Sequence, residues 1–205
     1  MKDVKKVDNI ENVERALIVI DMVNGFVREG AMADPYIEHI IPEIERLTKE
    51  FLKSGNGVFF VKDTHKKGCM EFKKFPEHCL KGTSEAELVD ELRKYEQYAT
   101  GVYEKNSTSV IFAPHFIDDI EKMKNLKEVV GVGCCSDICD LNAFISLINY
   151  FDQNDRDVKI TIPENAIETY DAPYHSRVEY TDAATKLMKQ AEIQIVKKYE
   201  MKEGK

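Results

Sequence analysis

The chain has 205 residues, 43% hydrophobic and 32% charged, with a formal net charge of −8. A chain of ~200 residues suits one domain that buries about 70% of its unfolded surface without disulfide staples. The composition argues against disorder, the acidic balance argues against a nucleic-acid partner, and no apolar run approaches the ~20 residues of a bilayer span.

The N-terminal Met-Lys-Asp-Val-Lys-Lys is charged and has no signal-like apolar stretch after it, so a cytoplasmic location away from membranes is expected. Ala16-Leu17-Ile18-Val19-Ile20 is a branched apolar run of the kind buried on both faces of a parallel sheet. Asp34-Pro35, followed by Tyr36, Ile37, Ile40, Ile41, Ile44, Leu47 and Phe51, predicts an amphipathic helix with proline in its first turn and Gly55 to end it. Residues 57–61 (GVFFV) read as a second strand. Residues 62–83 are polar and without period, and an irregular stretch of about 20 residues inside a compact domain is usually functional.

Residues 84–95 predict a helix, 101–104 a weaker strand and 114–123 another helix. Strand 128–132 (EVVGV) leads to residues 137–151, nearly all apolar after the first turn and therefore expected as a buried helix. Strand 158–162 (VKITI), a helix including residues 183–190, and strand 193–196 (IQIV) complete the chain. Strands alternating with helices imply parallel βαβ units. The expected fold is a single α/β domain over residues 1–205, a three-layer α/β/α sandwich with a mostly parallel, Rossmann-like six-stranded sheet. In such sheets ligands bind at the carboxyl ends of strands, where Asp21, Asp63-Thr64-His65, Lys105 and the run from Cys134 to Cys139 fall.

Each of these features has two readings. Asp21, ending the most apolar strand, is either a half-desolvated carboxylate tuned by its neighbours or a simple cap. Five cysteines, Cys69, Cys79, Cys134, Cys135 and Cys139, are expected to be reduced, and a free cysteine commonly serves as a small buried hydrophobe. Gly131-Val-Gly-Cys-Cys-Ser-Asp-Ile-Cys139, however, follows a strand and opens a helix. Ser136 is the expected N-cap, and a thiol in that first turn is biased towards thiolate beside unpaired N–H groups suited to an oxyanion. Asp63-x-His65 puts two metal-capable side chains on one face, with Glu71 and His78 further along, a donor set that suits zinc, iron or manganese. Lys105 alone reads as a solvated surface residue.

Together these segments resemble the isochorismatase-like cysteine hydrolase superfamily, nicotinamidase type. The carrying pieces are Ala16-Leu-Ile-Val-Ile-Asp-Met-Val-Asn-Gly-Phe26, Lys62-Asp-Thr-His65, Phe75-Pro-Glu-His-Cys-Leu-Lys-Gly-Thr83, Tyr103-Glu-Lys-Asn-Ser-Thr-Ser109 and the cysteine run. They occur in the family's order from about Arg15 to Tyr199.

The resemblance implies that Cys139 is the nucleophile, Asp21 the general base and Lys105 the cation beside both. It implies metal ligation by Asp63, His65 and His78, with Glu71 as a further carboxylate, and ring packing by Phe26 and Phe75. It also implies a non-proline cis peptide between Cys134 and Cys135, aiming the Cys135 N–H with that of Cys139 at the oxyanion. The implied reaction is metal-dependent hydrolysis of nicotinamide to nicotinate and ammonia through a thioester, in NAD salvage, with zinc (iron or manganese as alternatives) templating the pyridine ring. The implied assembly is a homo-oligomer.

Three positions depart from the family pattern. Asp140 replaces an apolar residue, the segment after Lys105 lacks a tyrosine before serine, and Ser136 replaces threonine. The alternatives are a relative acting on another small amide and a non-catalytic binding protein on the same scaffold. His39, His115 and His175 are expected to be surface or packing residues, and Cys69 and Cys79 structural rather than ligands.

Overall fold

The branched apolar runs pair side by side, all in parallel. In the computed structural model, which describes residues 4–201, strands β1 (Arg15–Ile20), β2 (Gly57–Asp63), β3 (Gly101–Lys105), β4 (Glu128–Cys134), β5 (Lys159–Pro163) and β7 (Gln194–Val196) form a sheet in the order β3-β2-β1-β4-β5-β7. The six predicted strands are thus present. A seventh, the two-residue β6 (Ile167–Glu168), pairs with Gly133 and Cys134 where β5 has left the edge of β4. Two residues are too few to carry a readable pattern. Residues 1–3, part of the charged N-terminal stretch, lie outside the described residues.

Alternate residues of each strand feed two cores. Leu17, Val19, Phe60 and Val132 pack with Ile44, Leu47 and Phe51 of helix α2 (Ile41–Lys53). Ile18, Ile20, Phe59 and Val61 pack on the other face with Phe116 of α4 (Phe116–Lys122), Phe144 and Phe151 of α5 (Leu141–Gln153) and Met188 of α6 (Arg177–Gln190). Helices cover both faces, which makes the three layers. The sheet order reverses between β1 and β4, so a crevice opens at their carboxyl ends. Among the described residues, no helix is long and apolar enough to cross a membrane.

Several elements differ from their sequence patterns for local reasons. The predicted helix at Asp34 does start with an Asp34 cap on the Tyr36 N–H, at 2.9 Å. Its first part, Pro35–Ile40, is a 3₁₀ helix; Pro42 has no N–H to give the Glu38 carbonyl, and the α-helix begins only at Ile41. Gly55 ends the segment with a φ of +70°.

The continuous helix expected over residues 84–95 is not formed. Glu87 accepts from the Asn24 N–H and Val89 donates to Met22, which draws this segment into extended pairing and leaves only short turns, among them α3 (Asp90–Arg93). The pairing partner follows directly from β1 and includes the single turn α1 (Asn24–Val27). Finally, α5 is amphipathic rather than wholly buried: Ala143, Phe144, Leu147 and Phe151 face the core, while Leu141, Ile145 and Ile148 are half-buried.

Candidate active site

The strand ends bring the sequence candidates together. Asp21 leaves β1 with φ +50°, an uncommon left-handed conformation for a residue with a side chain, which turns its carboxylate into the crevice. In register, Asp63 and Lys105 are paired positions at the ends of β2 and β3, and Ile20 lies opposite Gly133 of β4. A Cβ on Gly133 would sit 2.0 Å from the Ile20 carbonyl oxygen, so only glycine allows this approach. Cys134 then donates its thiol to the Asp21 carbonyl at 3.2 Å, and the Cys134–Cys135 peptide is cis.

Lys105 is 1% exposed. Its Nζ lies 2.7 Å from Asp63 Oδ1, 2.8 Å from Asp21 Oδ2 and 3.6 Å from Cys139 Sγ. The Asp21 contact is a buried ion pair. Burial raises the Asp21 pKa to about 6; Lys105 opposes the rise, Asp63 adds to it and the Cys139 thiol lowers it. Burial disfavours the charged form of Lys105 too, but the two carboxylates outweigh it and hold the ammonium well above its usual range. Cys139 is pushed well above the ordinary thiol range by burial, against the pull of Lys105. The unliganded pair at neutral pH is therefore a thiol beside a carboxylate.

Cys139 sits in a π-helical turn, Ser136–Asp140, that precedes α5. Ser136 does not cap it as expected: the cap position is Cys135, and the Ser136 hydroxyl pairs with Thr181 at 2.8 Å. Asp140 is fully buried and neither carboxylate oxygen has a hydrogen-bond partner. Burial, reinforced by Asp21, holds it well above the carboxylate range as a neutral acid.

Asp63, His65, Glu71 and His78 place their donor atoms within 4.8 Å of one another. His65 Nε2 is 2.9 Å and His78 Nε2 3.0 Å from Asp63 Oδ2, and Glu71 Oε1 is 4.0 Å from His65 Nε2. His78 Nδ1 donates to the Pro76 carbonyl at 2.7 Å, and His65 Nδ1 faces Asn106 Oδ1 at 3.1 Å. Both rings thus turn Nε2 inward, the orientation that outer hydrogen bonds impose on ligating histidines. Two imidazole lone pairs aimed at one carboxylate oxygen require a proton or a cation between them, so the donor set fits a divalent metal. Asp63 itself is held well below the carboxylate range, where Lys105 and the two histidines outweigh its burial.

Phe26, Met32, Phe75, Thr108, Cys135 and Ile138 line, with these groups, a narrow cavity of about 20 Å³. The Phe26 and Phe75 rings lie 5.5 and 6.4 Å from His78. Cys69 and Cys79 stay outside the donor cluster, and Cys79 is buried. His39 and His115 are exposed. His175 is buried and paired with Asp137 at 3.0 Å, an association that sequence reasoning did not find and that no spacing signals.

A cysteine–carboxylate–lysine constellation at the switch point of a parallel sheet, beside a histidine–carboxylate cluster, defines a class of α/β/α protein with a buried thiol among charged groups. The chain belongs to the isochorismatase family, whose domain profile matches residues 15–197. It is similar to nicotinamidase 1 of Arabidopsis thaliana, 32% identical over 142 residues, which take in 60% of this chain and 55% of the plant protein. The match thus spans little more than half of that relative. A solved nicotinamidase of Bacillus subtilis superposes with a TM-score of 0.74 at 26% identity, over 90% of this chain and 99% of the other. A pyrazinamidase of Pyrococcus horikoshii in complex with zinc superposes with a TM-score of 0.72, over 89% and 98%. Its identity of 23% speaks for the fold alone.

Proposed function

We propose that the protein is a metal-dependent amidohydrolase that converts nicotinamide to nicotinate and ammonia through a thioester on Cys139. The observation that carries this reading is the meeting of Cys139, Asp21 and Lys105 around one ammonium that also touches Asp63 of the histidine cluster. Similarity to proteins named nicotinamidases supports the substrate.

Asp21 takes the Cys139 proton as sulfur attacks the carboxamide carbon. Lys105 stays charged and offsets the negative charge that passes from carboxylate to thiolate. The oxyanion forms against the N–H groups of Cys135 and Cys139. Asp21 returns its proton to the amide nitrogen, the C–N bond breaks and ammonia leaves. Water then attacks the thioester and gives its proton to Asp21, and acid and thiol are released. Asp63, His65, His78 and Glu71 would hold a divalent cation, zinc in our reading. Bound there, it supplies a Lewis acid that fixes a ring nitrogen and so orients the amide. A cavity of about 20 Å³ is narrow for a pyridine ring, so the lining must widen to admit one.

The test is nicotinate and ammonia production from nicotinamide by zinc-loaded enzyme, with elemental analysis of wild type and His65→Ala. Turnover by wild type, and loss of metal and activity together in the variant, are expected. No nicotinate from metal-replete wild type overturns the reading, and full metal in His65→Ala overturns the ligand assignment.

The acid limb of the pH profile is a second expected result. Protonated Asp21 cannot accept the thiol proton, so kcat/KM should fall as pH drops through about 6. Steady-state assays from about pH 8 down to about pH 5 check this. A profile flat through that window would remove Asp21 from the role of base.

A further inference from the structure

The turn that carries Cys139 is gripped on its far side by an imidazole. His175 is 5% exposed, and its ring lies between those of Tyr170 (centroids 3.9 Å apart, planes at 8°) and Tyr180 (3.8 Å, 27°). Its Nδ1 is 3.0 Å from the Tyr170 carbonyl oxygen, and its Nε2 is 3.0 Å from Asp137 Oδ2. A carbonyl only accepts, so Nδ1 carries a hydrogen. Nε2 then meets Asp137 either as a donor from an imidazolium or as an acceptor from a neutral acid.

The imidazole is also fixed in place. Ala172 and His175 exchange reciprocal backbone hydrogen bonds of 2.9 Å, and Ser176 next to it caps α6 through the Glu179 N–H. Asp137 lies in the π-helical turn, two residues before Cys139, and its other oxygen, Oδ1, is buried without a partner. Ser136 adds a second tie to the same segment through Thr181. Residues 136 and 137 are thus both anchored to the stretch 170–181. The largest charge effects on the Cys139 sulfur come from Lys105, Asp21 and Asp63.

We infer that His175, paired with Asp137, is a positioning residue for the nucleophile's turn. It holds the backbone from Cys135 to Cys139 so that the N–H groups there keep their aim at the reacting carbonyl. It acts on geometry rather than on the ionisation of the thiol. The catalytic consequence rests on the proposed amide hydrolysis; the anchoring of the turn does not.

The experiment compares His175→Phe, which keeps a stacked ring and loses both ring nitrogens, with Asp137→Asn and the double variant. On nicotinamide, kcat should fall about 10- to 100-fold in each single variant, with KM within about twofold. The double variant should be little worse than either single one, since the pair acts as a unit. The rate of Cys139 alkylation by iodoacetamide should not change. Hydrogen exchange of the 135–139 amides should quicken in every variant, while the β1 and β4 amides keep their protection.

A rise in KM alone, additive losses, alkylation that slows in step with kcat, or unchanged exchange in the turn would each overturn the assignment. If nicotinamide proves not to be a substrate, exchange and alkylation still decide the anchoring, and only the catalytic reading fails. If His175→Phe does not fold, Asp137→Asn carries the same measurements.

Discussion

Cys139→Ala is expected to abolish turnover, by on the order of 10⁴-fold or more, in a protein that still folds. The argument starts from what the sulfur touches. The Lys105 ammonium lies 3.6 Å away, and it keeps two carboxylate partners when the thiol is removed. No buried charge is orphaned, so the stability cost is that of deleting one small buried group, about 1 kcal/mol. Chemically nothing replaces the sulfur: Asp21 has lost the proton it would take, and neither Asp21 nor Lys105 is placed to form the thioester. Ammonia release at saturating nicotinamide, read beside a thermal melt, checks both halves. Activity above about 1% of wild type would mean that the acyl group is carried elsewhere.

The fold was legible where one physical demand dominates. Val19, Phe60 and Val132 stand in runs with no polar face, and only a sheet covered on both sides satisfies such runs. Residues 84–95 were misread because helix propensity is a local quantity; the N–H and C=O groups of residues 22–24 claimed this stretch for extended pairing. Lys105 shows the same limit at the site. Along β3, Tyr103 and Lys105 face inward while Val102 and Glu104 face out, so hydropathy alone would not choose this face for the lysine. Two carboxylates from neighbouring strands make the choice, and they become neighbours only once the strand order is known.

The candidate metal donors stood out as residue types, but the outer bonds from Asn106 and Pro76 that turn both Nε2 atoms inward did not. Asp140 stood out in the sequence as an unexpected polar residue, and its neutral, unpartnered state follows from burial beside Asp21. The contact between His175 and Asp137 crosses 38 residues of sequence and leaves no local trace.

Lys105→Met should have the largest combined effect on activity and stability. In wild type at neutral pH, two buried carboxylates share one ammonium: Asp21 ionises at about 6, and Asp63 is held well below the usual range. Methionine matches the length of the stem and removes the charge. Breaking a buried ion pair from one side costs about 3–5 kcal/mol, because the partners stay buried without compensation. Asp21, already raised by burial and by Asp63, moves further up and holds a proton at neutral pH, so the base is lost and turnover should fall at least ~10³-fold.

The pH dependence of stability has a definite sign. A carboxyl whose folded pKa exceeds its unfolded one binds more protons folded than unfolded between the two, so stability falls as pH rises through that window. For wild type the window runs from about 4 to about 6. In the variant it extends upward. Wild type keeps the Lys105 contribution throughout, since a raised ammonium value is lost only in strong alkali. The depressed Asp63 acts with the opposite sign, as pH falls below about 4, outside the range compared. The melting-temperature deficit of Lys105→Met should therefore be large at about pH 8 and shrink at about pH 5. A deficit that is the same at both, or a variant that keeps a tenth of the wild-type rate, would show that the ammonium is not what balances Asp21.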